Sequence, residues 1–187
     1  MCGVCGCGNE DGKATIMKPY EEHRHDHIHG DHQHGHHHHD HDHSHKTVID
    51  LEQDILHQNN MDASRNRGYF EAKNILAMNL VSSPGSGKTS LLEKTLIDLK
   101  DKHAFFVIEG DQQTMNDAKR IDALNIPVVQ VNTGKGCHLE SNMVYSAVKK
   151  LKPTDNSILL IENVGNLMCP SMFDLGESNR VVIISTT

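Results

Sequence analysis

Residues 80–92 constrain this chain more than any other stretch. An apolar run (residues 75–81) leads into a loop with two glycines, then Lys88 and Thr89, then the apolar positions of a helix. A strand, a glycine-bearing loop and a helix in that order are the context of a phosphate-binding loop (P-loop). The general pattern G-x-x-x-x-G-K-[ST] puts its first glycine at position 82, where this chain has Ser82. The stretch predicts a nucleotide site.

The residue types of this loop are those that hold phosphate groups. Glycines let backbone N–H groups converge on phosphate oxygens, and the start of the following helix adds its dipole. Lys88 reaches the β- and γ-phosphates, and the Thr89 hydroxyl is a ligand for Mg²⁺. The positions predicted to contact the nucleotide are Gly85, Ser86, Gly87, Lys88, Thr89, Ser90 and Gly165.

Short apolar runs alternate with helical segments from residue 47 onward. Strands are predicted at 75–81, 104–108, 127–131, 157–161 and 181–185, and helices at 88–99, 114–124 and 139–151. One or two further helices are expected between residues 47 and 73, where Val48, Ile49, Leu51, Ile55 and Leu56 recur at roughly helical spacing. The pattern predicts one α/β domain over residues 47–187, with a mostly parallel sheet and helices on both faces.

Composition excludes several classes of protein. The net charge is −7 and no basic cluster is dense enough for nucleic acid. No apolar run approaches the roughly 20 residues of a membrane span, and the first residues lack the apolar core of a secretory signal. Five cysteines, an odd number, fit a disulfide framework badly. We therefore expect a cytoplasmic protein whose cysteines are available as thiolates.

Residues 1–46, here called the N-terminal tail, have almost no aliphatic content, so we expect them to be disordered without a ligand. Cys2, Cys5 and Cys7 are separated largely by glycines, which let three thiols face one ion. Soft thiolates suit Ni, Zn or Cu(I), and a planar set of N and S ligands favours Ni(II). The alternative is a frayed end with reactive, unligated thiols.

The tail also contains thirteen of the sixteen histidines. Neutral imidazoles on a flexible chain give many interchangeable sites for borderline metals, which is typical of a metal buffer. A purification tag and a solvated spacer are the alternatives, and the interspersed aspartates weigh against the tag. These histidines are His23, His25, His27, His29, His32, His34, His36, His37, His38, His39, His41, His43 and His45.

Polar residues follow the predicted strands at the edge where the P-loop lies. Asp111, in Glu109-Gly110-Asp111-Gln112, is predicted to hold a Mg²⁺-bound water or to orient the attacking water, so Lys88 and Asp111 are the candidate catalytic residues. Glu162 is followed three residues later by Gly165, as in the γ-phosphate sensor loop of GTPases. Thr89, Asp111 and Glu162 are the candidate magnesium ligands.

Cys137 and His138 are adjacent at a predicted helix start, and Cys169 follows the sensor loop. Three such ligands can form a metal site. Since a lone cysteine is most often buried and inert, the spacing alone leaves both interpretations open.

Six motifs in one order resemble a known family. They are Cys2-x-x-Cys5-Gly6-Cys7, the histidine tract, the P-loop from Ser82 to Thr89, Glu109-Gly110-Asp111-Gln112-Gln113-Thr114, Gly136-Cys137-His138-Leu139, and Glu162-Asn163-Val164-Gly165-Asn166-Leu167. Together they closely resemble the hydrogenase nickel-incorporation GTPases, the HypB family, in which serine is usual at position 82. The resemblance implies a P-loop NTPase of the SIMIBI-type G domain.

The same resemblance implies a metallochaperone that hydrolyses GTP to GDP, with Mg²⁺, and assists insertion of nickel into [NiFe] hydrogenase. It implies a HypA-type metallochaperone and the hydrogenase large-subunit precursor as partners, and a homodimer for the complete protein. It also implies Ni²⁺ at Cys2, Cys5 and Cys7, and a second Ni²⁺ or Zn²⁺ site at the other two cysteines and His138. A nickel-storage protein with a vestigial nucleotide site is the alternative; a urease-type nickel GTPase is another, disfavoured by the thiol motif.

One departure from the GTPase pattern concerns the base. GTPases read guanine through an Asn-Lys-x-Asp loop, which does not occur here, and the sequence stops at Thr187 directly after a predicted strand. We therefore expect a C-terminally incomplete domain that lacks the guanine-specificity elements and part of a dimer surface. Such a chain would bind nucleotide weakly, with poor preference for GTP over ATP.

Overall fold

A computed structural model describes residues 14–19, 48–112 and 115–186. The strands are β1 (Thr15–Met17), β2 (Leu76–Ser82), β3 (Phe105–Asp111), β4 (Val128–Asn132), β5 (Ile158–Glu162) and β6 (Asn179–Ile183). The helices are α1 (Val48–Ala72), α2 (Lys88–Leu99), α3 (Asn116–Asp122), α4 (Ser141–Leu151) and α5 (Met168–Met172). The predicted α/β fold with a mostly parallel sheet is confirmed.

The six strands form one sheet in the order β1-β4-β3-β5-β2-β6. Every pair is parallel except β1 with β4. Strand β5 is central between β2 and β3, and its last residue, Glu162, lies beside Leu80 on one side and Glu109 on the other. The carboxyl ends of four parallel strands therefore open on the same edge as the P-loop.

Two apolar clusters cover the two faces of the sheet, because successive strand residues point to opposite faces. In β3, Phe106 and Ile108 join the cluster that contains residues of α1 and α4, whereas Phe105 and Val107 join the cluster that contains residues of α2 and α3. Both faces are thus covered, as expected for parallel strands with continuous apolar runs.

The short strand β1 lies inside the tail that was expected to be disordered, and that expectation is wrong for Thr15–Met17. Strand β1 pairs antiparallel with β4, Lys150 Nζ donates to the Ile16 carbonyl at 3.1 Å, and the Ile16 side chain packs against the core. An edge strand draws on backbone pairing for most of its stability, so a single inward side chain is sufficient.

Helix α1 is a single helix of 25 residues, but its buried face differs from the predicted one. Asn59, Ala63, Asn66 and Phe70 are buried, while Ile55 is 45 % exposed. The apolar spacing identified a helix correctly and its inward face wrongly, because two of the inward residues are asparagines. The short helix α5 was not predicted.

Gly176 lets the chain approach α1 closely. Its φ is +85°, and a Cβ at this position would lie 2.5 Å from the Ala63 carbonyl oxygen. Gly68, on the exposed side of α1, has a helical backbone, and an added Cβ there meets no atom within 4 Å in the described part of the chain.

These two glycines give a matched test of the fold. Gly176→Ala should lower the free energy of unfolding by about 1–3 kcal/mol from backbone conformation alone, and by more from the contact with Ala63. Gly68→Ala should raise it by about 0.5–1 kcal/mol, since alanine loses less backbone entropy in a helix. Urea denaturation at constant m-value measures both. Equal effects of the same sign would contradict the described approach of residue 176 to α1.

Candidate functional site

The P-loop borders a cavity of about 420 Å³ at the carboxyl edge of the sheet. Gly85 and Gly87 have φ values of +74° and +86°, a backbone conformation that side chains rarely adopt. Gly87 immediately precedes Lys88, the first residue of α2, so the helix begins where the loop ends. The cavity is also lined by the predicted contact residues Ser86, Thr89, Ser90 and Gly165. The loop therefore has the geometry expected of an anion cradle at a helix start.

Glu162 lies at the centre of this cavity. Its carboxylate is 2 % exposed, and its Oε1 accepts a hydrogen bond from Thr89 Oγ1 at 2.7 Å. Lys88 Nζ lies 3.4 Å from the same oxygen and is itself largely buried. The structure thus brings together Lys88, Thr89 and Glu162, as the sequence predicted.

Glu109 faces Glu162 across the β3–β5 pairing and was not predicted as a site residue. It is 3 % exposed, and neither its Oε2 nor that of Glu162 has a hydrogen-bond partner among the described residues. Burial, and then the neighbouring charge of Glu162, hold the pKa of Glu109 well above its usual range. A carboxylate within the apolar run Phe105–Ile108 and its continuation was the signal in the sequence that identified this position.

Asp111 lies one step further out than Glu109. It lines the cavity at the end of β3, and its Oδ1 accepts the backbone N–H of Gln112 at 2.7 Å. Asp117 and Arg120 of α3 also line the cavity, and sequence reasoning missed both. Since Glu109 and not Asp111 faces Glu162, the two buried carboxyl groups of the cavity are Glu109 and Glu162.

The sensor loop contacts the P-loop directly. A Cβ on Gly165 would lie 3.3 Å from Pro84 Cα, so the two backbones touch at this point. Ser82 and Asn166 also form an isolated antiparallel bridge. Movement of the segment that follows Glu162 is therefore felt at the P-loop.

A second cluster contains the three predicted metal ligands of the domain. One ligand atom each from Cys137, His138 and Cys169 lie within 4.8 Å of one another. Cys137 Sγ is 3.6 Å from His138 Nδ1, and Cys169 is 2 % exposed. Two sulfur donors and an imidazole suit zinc and nickel better than magnesium or calcium, so the donors fit a thiophilic divalent ion.

The surroundings of His138 keep its ring in the form that binds metals. The ring stacks on Phe173 with centroids 3.9 Å apart, and burial lowers its pKa. Glu140 Oε1 lies 3.8 Å from His138 Nε2, and burial raises the Glu140 pKa. Both shifts favour the uncharged forms, so this contact is not a strong ion pair. His138 Nε2 has no hydrogen-bond partner among the described residues.

One buried amide joins the two clusters. Asn163, which follows Glu162, is 1 % exposed. Its Oδ1 accepts the backbone N–H of Leu139 at 3.1 Å and of Val164 at 3.0 Å, and its Nδ2 donates to Asn79 Oδ1 at 3.2 Å. Leu139 is the residue after His138, so the nucleotide cavity and the cysteine–histidine cluster share a hydrogen-bonded wall.

The remaining predicted metal ligands, which are Cys2, Cys5, Cys7 and the thirteen tail histidines, lie outside the described residues. Within the described part, no helix is long and apolar enough to cross a membrane.

Comparison with known proteins agrees with the geometry. Residues 76–182 match the family model described as CobW/HypB/UreG, nucleotide-binding domain. The hydrogenase maturation factor HypB of Escherichia coli (strain K12) is 56 % identical over 142 residues, which cover 76 % of this chain and 49 % of the relative. The chain thus spans about half the length of that curated relative.

Two solved structures are also similar. The HypB crystal structure from Archaeoglobus fulgidus has a TM-score of 0.62 and 38 % identity, covering 68 % of this chain and 62 % of that one. HypB from Helicobacter pylori in complex with nickel has a TM-score of 0.60 and 40 % identity, covering 67 % and 59 %. With a family model that matches more than half of its residues and HypB relatives in both comparisons, this chain belongs to the HypB branch of the CobW/HypB/UreG family.

Proposed function

We propose that this chain is the nucleotide-binding part of a metallochaperone that couples hydrolysis of GTP to GDP with the handling of nickel. The cargo would be inserted into [NiFe] hydrogenase, with a HypA-type metallochaperone and the hydrogenase large-subunit precursor as partners and a homodimer as the assembled form. The observation that carries the proposal is the shared wall between the P-loop cavity and the cluster of Cys137, His138 and Cys169. The maturation-factor names of the relatives and the nickel in one of them support it.

The nucleotide would lie with its phosphates in the P-loop. Backbone N–H groups of residues 85–89 bind phosphate oxygens, and Lys88 neutralises charge that develops on the β- and γ-phosphates. Mg²⁺, when bound, would supply further neutralisation of the phosphate oxygens, with Thr89, Asp111 and Glu162 as its candidate holders. Asp111, at the cavity rim, would orient the attacking water.

Nucleotide binding must rearrange the contacts of Glu162. Lys88 and Thr89 both engage its Oε1, and both are the groups that phosphate and its counterion require. Loss of these contacts would leave two buried carboxyl groups, Glu109 and Glu162, facing each other. A divalent cation is the natural compensation, because a like-charged buried pair is costly without one.

The metal cargo would be held by the two thiolates and the neutral imidazole of the second cluster, with Ni²⁺ as the cargo and Zn²⁺ as the competing ion. Cys169 follows Gly165 by four residues, and Gly165 touches Pro84 of the P-loop. Loss of a γ-phosphate frees such sensor loops to move. Movement of this loop displaces Cys169 relative to the other ligands, so metal affinity should depend on the nucleotide.

Storage of nickel is a second candidate function, favoured by the thirteen histidines of the tail. A storage protein does not need Lys88, Thr89 or Glu162 to converge in one cavity. Metal affinity that is the same with GDP and with a non-hydrolysable GTP analogue would favour storage. The client, [NiFe] hydrogenase or a urease-type enzyme, is to be tested by complementation of the corresponding maturation defect.

Lys88→Ala should lower hydrolysis by about 10²–10³-fold, because it removes the cation that follows charge onto the transferred phosphoryl group. Thr89→Ala should instead raise the Mg²⁺ concentration needed for half-maximal hydrolysis. Lys94→Ala is the matched control, because Lys94 is an exposed lysine of the same helix that pairs with Asp98. Phosphate release under saturating nucleotide measures all three. Wild-type hydrolysis in Lys88→Ala would exclude the P-loop from the mechanism.

Cys169→Ala should weaken metal binding in the domain and remove its dependence on the nucleotide. Linkage requires that bound metal shift nucleotide affinity by the same factor by which nucleotide shifts metal affinity. The measurement is a nickel titration with GDP and with a GTP analogue. Residues 1–13 are deleted and the tail histidines replaced by serine, so that β1 is kept. Equal affinities in the two nucleotide states of the parent would mean that the two sites are independent.

The tail should bind metal independently of the domain and release it first on acidification. An exposed imidazole protonates near pH ~6.5 and must be neutral to bind a metal. Because burial lowers the pKa of His138, its ring stays neutral to a lower pH, and the domain site should keep its metal longer as pH falls. Equilibrium dialysis between pH 7.5 and pH 5, with and without the tail histidines, tests this order. Loss of the domain metal first would contradict it.

A further inference from the structure

The buried face of helix α1 contains two asparagines that the core does not require. Asn59 and Asn66 are 6 % and 2 % exposed, and they alternate along the helix with Ala63 and Phe70. A buried amide is costly unless hydrogen bonds satisfy it, and an apolar side chain would pack on the core without that cost. The destination of these hydrogen bonds therefore tells what the asparagines do.

Each asparagine bridges the same two segments of the chain. Asn59 Oδ1 accepts the Ser141 backbone N–H at 2.9 Å, and its Nδ2 donates to the Asp174 carbonyl at 2.7 Å. Asn66 Nδ2 donates to the Ser141 carbonyl at 2.9 Å and to the Leu175 carbonyl at 3.0 Å. Two side chains one face apart on α1 thus hold both backbone groups of residue 141 and two consecutive carbonyls of the other segment.

The two bridged segments are the ones that carry the cluster of metal ligands. Ser141 follows His138 by three residues, and Asp174 follows Cys169 by five. The Ser141 hydroxyl also donates to the Asp174 carbonyl, and Phe173 stacks on His138. Any change in the separation of these segments at residues 141 and 174 is therefore transmitted to the ligands through a few backbone bonds.

We infer that α1 clamps the cysteine–histidine cluster. Asn59 and Asn66 are positioning residues that set the distance between the Cys137–His138 segment and the Cys169 segment. Docking of α1 and metal affinity are in consequence two sides of one equilibrium. The inference rests on the proposed metal site and adds to it an element that contains none of the ligands.

The physical reason is that each amide satisfies its hydrogen bonds only when both segments are in place. If one segment moves away, a buried donor or acceptor loses its partner, and the remaining contact does not compensate for it. The clamp therefore resists displacement of either ligand-bearing segment. Removal of an outer partner of a metal ligand commonly lowers metal affinity by about 10–100-fold, and we expect the same range here.

The test uses the full chain with Cys2→Ser, Cys5→Ser and Cys7→Ser, so that thiolate-to-metal charge transfer reports the domain cysteines alone. Co²⁺ is the probe, because its spectrum changes with ligand geometry. In this parent, Asn66→Ala and Asn59→Ala should each lower Co²⁺ affinity by about 10–100-fold and shift the charge-transfer band.

Arg67→Ala is the matched control. Arg67 is the neighbour of Asn66 on α1, but it pairs only with the Asp174 carboxylate, at 2.8 and 3.0 Å, and so reaches one segment and not both. It should change Co²⁺ affinity by less than about threefold and leave the band in place. Unchanged affinity in folded Asn66→Ala and Asn59→Ala, or an equal loss in Arg67→Ala, would overturn the inference.

A second measurement does not depend on the folding of any variant. In the parent, saturating Co²⁺ should slow amide hydrogen exchange of residues 59–70 by the factor by which undocking of α1 weakens metal binding, since linkage is reciprocal. No change in exchange along α1 would overturn the clamp. Failure of the proposed metal site is distinguished by Cys169→Ala, because a thiolate band that survives this substitution shows that the domain cluster does not bind the metal.

Discussion

The placement of β5 between β2 and β3 is the constraint on which both candidate sites depend. This pairing puts Glu162 at the end of a central strand, beside the P-loop on one side and Glu109 on the other. The chain that leaves β5 touches the P-loop at Gly165 and then contributes Cys169 to the ligand cluster. A single segment of eight residues thus belongs to both sites, and neither site can be rearranged without it.

Buried charge at this edge explains why the cavity is suited to a cation and a phosphate together. Glu109 and Glu162 are both almost fully buried, and the pKa of Glu109 is held high by burial and by its neighbour. Lys88 and Thr89 currently satisfy one oxygen of Glu162. A site that holds its lysine on a carboxylate is set to exchange that contact for a phosphate, which links occupancy of the cavity to the position of β5.

Polar contacts also decide how α1 joins the domain. The helix follows the histidine-rich tail directly, yet its described inward face consists of two amides, an alanine and a phenylalanine. Hydrogen bonds from those amides are directional and reach only the two ligand-bearing segments. An apolar face would have docked the helix with less specificity, because apolar contacts tolerate small shifts in register.

The sequence by itself determined the local elements and the nucleotide loop. Strands β2 to β6 and helices α2 to α4 lie within a few residues of their predicted bounds, since their apolar periodicity and glycine placement are local properties. The convergence of Lys88, Thr89 and Glu162 also followed from the rule that parallel strands end on one edge. Only tertiary structure decided the rest. Glu109 faces Glu162 through a strand register, β1 joins an edge that local composition does not reveal, and the inward face of α1 is set by hydrogen bonds to residues 75 to 115 positions away. Contacts at such separations depend on the packing of the whole sheet, which no local pattern encodes.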